Sequence, residues 1–248
     1  MAAGDGKEVD PVSGAGVLPA SLAGGITPLL DSVVEYAPDI VEATGQTLYM
    51  VGLAVFFATL FGVPIGTLLV VMDRGHIAAF PPLRAVLAFI VNVGRSVPFV
   101  ILLIALTPFT RLLVGTSLGT EAAVPPMAVA ATPFIARVVE TALREVDRGT
   151  IDAALAMGAS PWQVVTKVLL PEALPSLVLG ITIATVSLVE FSAVAGAVGG
   201  GGLGDLAFRM GYQRWEAGVL LACVVLLVAL VQVVQWTGET VSRRLNHR

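Results

Sequence analysis

The stretch Thr150 to Pro175, "TIDAALAMGASPWQVVTKVLLPEALP", lies between apolar runs fit for a lipid bilayer, yet it reads as a compact pair of capped helices. Thr150 is placed to cap a helix beginning at Ile151, with Asp152 in its first turn, where the helix dipole favours an anion. Gly158 then falls at the position past the C-cap where a left-handed backbone closes a helix. Ser160, Pro161 and Gln163 read as N-cap, N1 and N3 of a second helix, a capping box. That helix is expected to run to about Leu170, after which Pro171 and Pro175 direct the chain back into the membrane. The first rod is about 10 Å long at 1.5 Å per residue, too short to be stable alone. Its small side chains, Asp152, Ala153 and Ala154 before Met157, Gly158 and Ala159, offer a smooth surface to another protein's groove. A connector packed on its own helix ends is the plainer alternative.

Composition fixes the solvent around this element. Of 248 residues, 56% are hydrophobic and 13% charged, and the mean hydropathy is +0.89, whereas a soluble domain carries about 25% charged residues. The chain is an integral membrane protein. A net charge of −4 without a clustered basic face argues against nucleic acid as a partner. A single cysteine, Cys223, excludes an internal disulfide and a thiol-built metal centre, and no metal site is expected.

A bilayer core needs about 20 apolar residues per helix. Five runs qualify: Thr47–Met72, Ala85–Thr110, Leu112–Ala136, Leu177–Val198 and Ala217–Thr237. The expected fold is therefore all-α with five transmembrane helices, an odd number that puts the termini on opposite sides. One set of span ends carries Arg74, Arg84, Arg144, Arg148, Lys167, Arg243, Arg244 and Arg248; the other carries Lys7, Arg111, Arg209 and Arg214. The richer, basic end is expected in the cytoplasm, so the loop at about 144–175 faces inward, the N-terminus lies outside and the C-terminus inside. Residues 1–40 read as a largely disordered extracytoplasmic tail and 41–248 as the transmembrane domain. Pro64, Pro98, Pro108, Pro125, Pro126 and Pro133 interrupt the spans, which suits either kinked packing or a water-filled path.

Asp152, Ala153, Ala154, Gly158, Val168, Leu170 and Pro171 keep the offsets of the Glu-Ala-Ala coupling loop of type I ABC importer permeases, which this chain resembles; Asp152 stands where that family has Glu. "NVGRSVPFVILLIALTPFTRLLVGTSLG" (Asn92–Gly119), "TPFIARVVETAL" (Thr132–Leu143) and "SAVAGAVGGGGLGDLA" (from Ser192) are similar to the methionine-importer permeases within it. The resemblance runs from about Thr44 to the C-terminus. It implies a subunit of the inner membrane, in contact with lipid, that translocates D- or L-methionine and works beside a second copy of itself. Two cytoplasmic ABC ATPases and an extracytoplasmic binding protein, lipid-anchored or periplasmic, complete the implied assembly. It also implies that Asp152, Ala153, Ala154, Met157, Gly158, Ala159, Ser160, Pro161, Leu170 and Pro171 form the ATPase-coupling loop. No G-x-x-x-x-G-K-[ST] motif occurs, so ATP and Mg must be bound by a partner; the chain itself is no enzyme and holds no cofactor. Import of another small amino acid is the second reading, and an ion-driven carrier or channel the rival from a different class, against which stands the lack of an internal repeat.

Within the spans, Arg95, Ser96, Pro98, Glu190 and Ser192 are the candidate path residues. Glu190 is the oddest: a carboxylate at the centre of a span costs about 2.5–3.5 kcal/mol on insertion scales, and the resembling permeases tend to a small neutral residue there, followed by Tyr-Ser where this chain has Phe191-Ser192. The structural reading, a carboxyl protonated or paired with Arg95 or Arg137, is taken ahead of contact with a ligand's ammonium group. "GGGGLG" at Gly199–Gly204 fits a dinucleotide fingerprint only formally, since it follows a span; a flexible or a tight external turn suits it better.

Overall fold

The computed structural model describes residues 26–74 and 77–246, so most of the expected tail lies outside the described residues. The chain is helical as soon as it is described. A short helix, α1 (Ile26–Glu35), packs on the last helix, and α2 (Ala37–Val71) begins ten residues before the expected first span. Then follow α3 (Pro81–Ser96), α4 (Phe99–Ala105), α5 (Thr107–Val114) and α6 (Thr120–Arg144). The loop helices are α7 (Arg148–Ala156) and α8 (Pro161–Val164); α9 (Leu170–Ala195), α10 (Gly202–Leu206) and α11 (Ala217–Leu245) complete the chain. No strand occurs among the described residues. The all-α expectation holds.

Among the described residues four helices are long and apolar enough to cross a membrane, and α3 with α4 makes a fifth crossing when the bent pair counts as one span. That pair departs from the expected straight run Ala85–Thr110. Val97 takes an extended backbone, φ −83 and ψ 123, because the ring of Pro98 crowds a preceding residue out of the helical region. The axis turns by 103° there. The third run was also placed too early: residues 107–114 are the separate helix α5, closed by Gly115 at φ 84, and the spanning helix starts only at Thr120.

The centre of the bundle is the pairing of α2 with α6. Gly62 and Gly66, four apart, lie on one face of α2 against α6. A Cβ on Gly62 would stand 2.8 Å from Ile135 Cγ2, and one on Gly66 would run into the Ala136 carbonyl oxygen and the Val139 side chain. Close backbone approach of this kind supplies the dispersion contact that replaces the hydrophobic effect in lipid. Gly180 of α9 plays the same part against Val138. Prolines 64, 125, 126 and 133 do not break their helices. The hydroxyls of Thr67 and Thr132 donate back to the carbonyls of Val63 and Ala128 at 2.8 and 2.7 Å, which keeps these polar groups satisfied within their own helices. Phe56, Leu60 and Phe61 of α2 and Val225, Val228 and Val233 of α11 remain exposed and form an apolar exterior.

Residues 199–201 form a tight turn that leads into α10, the second of the two forms expected for this segment. Gly199, Gly201 and Gly202 all take positive φ. The Gly202 amide donates to Gln46 Oε1 at 2.7 Å, the Leu203 amide to Thr47 Oγ1 at 2.9 Å, and Gly199 accepts from the Gly119 amide at 2.9 Å. The turn is thereby tied to the start of two spans.

Candidate functional site: a capped rod and a charged cleft

The rod is α7. It starts at Arg148, three residues before the expected Ile151, and its cap is Asp147, whose Oδ1 accepts from the Thr150 amide at 3.2 Å. Thr150 thus occupies N3. Its expected capping role is corrected, because Asp147 already holds the β-region backbone that a cap requires, φ −61 and ψ 130. At the other end Gly158 is left-handed, φ 84. Its amide donates to Leu155 O at 2.9 Å and the Ala159 amide to Ala154 O at 3.1 Å, the paired bonds of a Schellman motif. Two residues on, Ser160 Oγ accepts from the Gln163 amide and Gln163 Oε1 accepts from the Ser160 amide, so the predicted capping box is present, with Pro161 at N1.

The two rods are anchored on one side only. Ile151, Ala154, Val164, Val165 and Leu169 are buried in the main apolar core, with Ala159 packed on it. Asp152, Ala153 and Leu155 face out, and Met157 and Trp162 are 83% and 74% exposed. The pair is an exposed apolar patch beside a charged end of the bundle.

Pro171 and Pro175 do not end the second rod, contrary to expectation. From Pro161 the helix runs on through both prolines, and it is interrupted only at Val198 and Gly199, whose backbone leaves the helical region (φ −109 and φ 91). The residues Val165–Leu169 widen into a π turn, in which the Leu170 amide reaches back five residues to Val165 O. Such a widened turn accommodates a proline where a regular helix would leave its i−4 carbonyl crowded. Leu170 and Pro171 therefore belong to the junction between rod and span.

Beside the root of the rod lies an ion cluster that the sequence reading missed. Glu140 of α6, its side chain 4% exposed, is met by Arg137, by Arg144 at 3.0 Å and by Arg84 of α3 at 3.6 Å. Asp73, in the loop after α2, binds Arg144 at 2.6 Å and Arg84 at 3.3 Å. The hydrogen bond from Arg144 is the main cause that holds the Asp73 carboxyl below the usual carboxylate range, with partial burial opposing it. The i,i+3 and i,i+4 spacings of Arg137, Glu140 and Arg144 were available as a signal; the reach to Asp73 and Arg84 is tertiary.

Arg95 and Glu190 open on one cleft of about 260 Å³, with Gly94, Val97, Phe99, Phe134, Ser187 and Phe191 among its walls. The expected pairing of Glu190 with Arg95 or Arg137 is corrected: Arg137 is taken by Glu140, and no ion pair joins Glu190 to either arginine among the described residues. Arg95 instead lies over the Phe134 ring, 6.0 Å from its centroid. Ser96 is exposed and donates to Asn92 O at 2.9 Å, and Pro98 forms the corner between α3 and α4. Ser192 is 1% exposed, donates to Val189 O, and is not among the residues lining the cleft. No cluster able to hold a metal occurs among the described residues.

A bundle of membrane-crossing helices that presents a rigid, capped rod and carries no phosphate loop is a transport subunit driven by another chain. The chain belongs to the family described as the binding-protein-dependent transport system inner membrane component, which matches residues 62–247; it is the permease subunit of an ABC importer. The probable D-methionine transport system permease protein of Vibrio cholerae is 46% identical over 209 residues, covering 84% of this chain and 93% of its own length. The methionine import system permease protein of Bacillus subtilis is 42% identical over 207 residues, 84% of this chain and 93% of that one. Among solved structures, the inward-facing MetNI methionine ABC transporter aligns with a TM-score of 0.84 at 46% identity, over 86% of this chain and 99% of that one. Family membership sets aside the ion-driven carrier or channel.

Proposed function

We propose that this permease translocates methionine, delivered to its outer mouth by a binding protein, and that the α7 rod is the handle by which ATPases drive it. Two copies related by a two-fold axis present two rods to two ATPases, which supply the ATP and Mg chemistry that the sequence lacks. The basic end, with α7 and α8, faces the cytoplasm; the N-terminus and the Gly199–Gly204 turn face outward. Support for the substrate comes from the Vibrio and Bacillus relatives, both of which are described as methionine permeases.

The observation that carries the handle is the combination of rigid caps with a bare apolar face at Met157 and Trp162. A Cβ added at Gly158 meets nothing within 4 Å in this chain, so a large side chain there pays the left-handed backbone penalty at φ 84 but no steric one until a partner docks. The experiment reconstitutes permease, ATPases and binding protein in proteoliposomes. Wild type is expected to take up methionine with ATP hydrolysis stimulated by loaded binding protein, and Gly158→Trp to lose uptake while inserting normally. Normal ATP-driven uptake by Gly158→Trp refutes the docking role.

A further inference from the structure

The Arg95–Glu190 cleft has no place in the coupling machinery. It holds a cation and an anion that form no ion pair with each other or with any other described residue, Arg95 meeting only the Phe134 ring. Ionised side chains within spans face a bundle interior or a water-filled cavity and find a partner there. Both residues are exposed on the single chain, and because ionised groups in spans avoid lipid, the face that carries them is assigned to a water-filled or inter-subunit space. The rest of the cleft is apolar and of two kinds. Phe99 and Phe191 stack face to face at 4.4 Å, with 8° between their planes, and Phe134 lies beneath Arg95; Ala130, Ala131 and Ala184 leave the room. Its volume, about 260 Å³, lies just under the roughly 300–1,000 Å³ of drug-sized ligand sites, a size for a small solute.

We propose that this cleft is a substrate site inside the permease that clamps a zwitterionic amino acid with an apolar side chain. Arg95 takes the carboxylate through its forked donors, Glu190 takes the ammonium, and the phenylalanine wall takes the side chain, a surface well suited to a thioether. Each charge that is costly in the empty protein is neutralised by the ligand, and a solute lacking either charge leaves one uncompensated. Selectivity is thereby exercised a second time after the binding protein has released its cargo. The proposal rests on the reading of the chain as an amino-acid importer.

The test uses the assembled transporter in proteoliposomes with its binding protein, reading uptake of radiolabelled L-methionine beside ATP hydrolysis. It adds equilibrium binding of the label to the detergent-solubilised transporter without binding protein. Glu190→Gln and Arg95→Gln are each expected to lower uptake at least tenfold while stimulated ATP hydrolysis stays within twofold of wild type. The part of the binding that Glu190→Gln removes counts this site and excludes any on the ATPases. In wild type that part is competed by methionine and not by N-acetylmethionine, which lacks the cation, or methioninamide, which lacks the carboxylate. Arg95→Gln is expected to lose the preference over the amide alone. A structural role for either residue does not predict that split. Uptake within twofold of wild type in Glu190→Gln, or equal competition by all three compounds, overturns the clamp. Where wild type takes up a different neutral amino acid, the methionine reading falls, and the same variants scored on that amino acid still decide the clamp.

Discussion

Substituting Gly158 separates two ways in which a glycine can matter. Its φ of 84 places it in the left-handed region, and the space beside it is open. The penalty for another residue is thus conformational within this chain. An ordinary L-residue costs about 1–2 kcal/mol there, whereas Asn pays less because its short polar side chain bonds locally. Through RT, that penalty is a roughly 5–30-fold shift against the bent state in which α7 and α8 are held by the Ala159-to-Ala154 bond. The expected order of coupled transport is Gly, then Gly158→Asn, then Gly158→Ala, then Gly158→Val, whose branched Cβ suits left-handed backbone least. If bulk at the docking face were the only constraint, alanine, the smallest, would lead the variants. The assay is methionine uptake per ATP hydrolysed in proteoliposomes, with insertion checked by yield of folded protein. Alanine outperforming asparagine refutes the conformational argument.

Glu140→Gln removes the carboxylate shared by three arginines. It is expected to destabilise the permease by about 2 kcal/mol, below the 3–5 kcal/mol of a fully buried pair because two of the three arginines, Arg137 and Arg144, are more than a third exposed; thermal unfolding in detergent reads it, and an unchanged midpoint contradicts the role given to the cluster. Because the folded Asp73 carboxyl titrates below its unfolded value, its contribution is present above about pH 4 and lost as pH falls through the depressed folded pKa. The stability gap between wild type and Asp73→Asn should therefore hold from neutral pH to about 5 and close in stronger acid, and a gap that widens on acidification reverses the sign of the argument. Gly66→Val drives a branched side chain into the Ala136 carbonyl and Val139 and is expected to cost about 1–3 kcal/mol by overpacking, seen as a lowered melting point and yield; a neutral result means that α2 and α6 can separate freely.

What the sequence carried best was local chemistry. Ser160, Pro161 and Gln163 interact within four residues, and Gly158 answers to its own backbone angle, so both were readable without knowing the fold. Asp147 and Thr150 were each competent caps three residues apart, and only the packing of Ile151 and Ala154 against the core decides which phase the helix takes. Counting apolar residues could not see the corner at Val97-Pro98, since both arms of the bend are equally apolar. The prolines at 171 and 175 suggested a stop, but the widened turn before them lets the helix run on. Glu190 was legible as an anomaly, while its neighbours were not: Arg95 reaches the same cleft from a different helix. The Asp73, Arg84 and Glu140 contacts are likewise set by three elements meeting in space.

The helix that begins at Pro161 and carries Glu190 behaves as a shaft as far as the kink at Val198 and Gly199. At 1.5 Å per residue it is about 55 Å long, so Trp162 and Glu190 ride on one body with no loop between them, while Arg95 sits on a separate helix. Under the clamp proposed above, any rotation of this shaft against α3 changes the distance between the two charges.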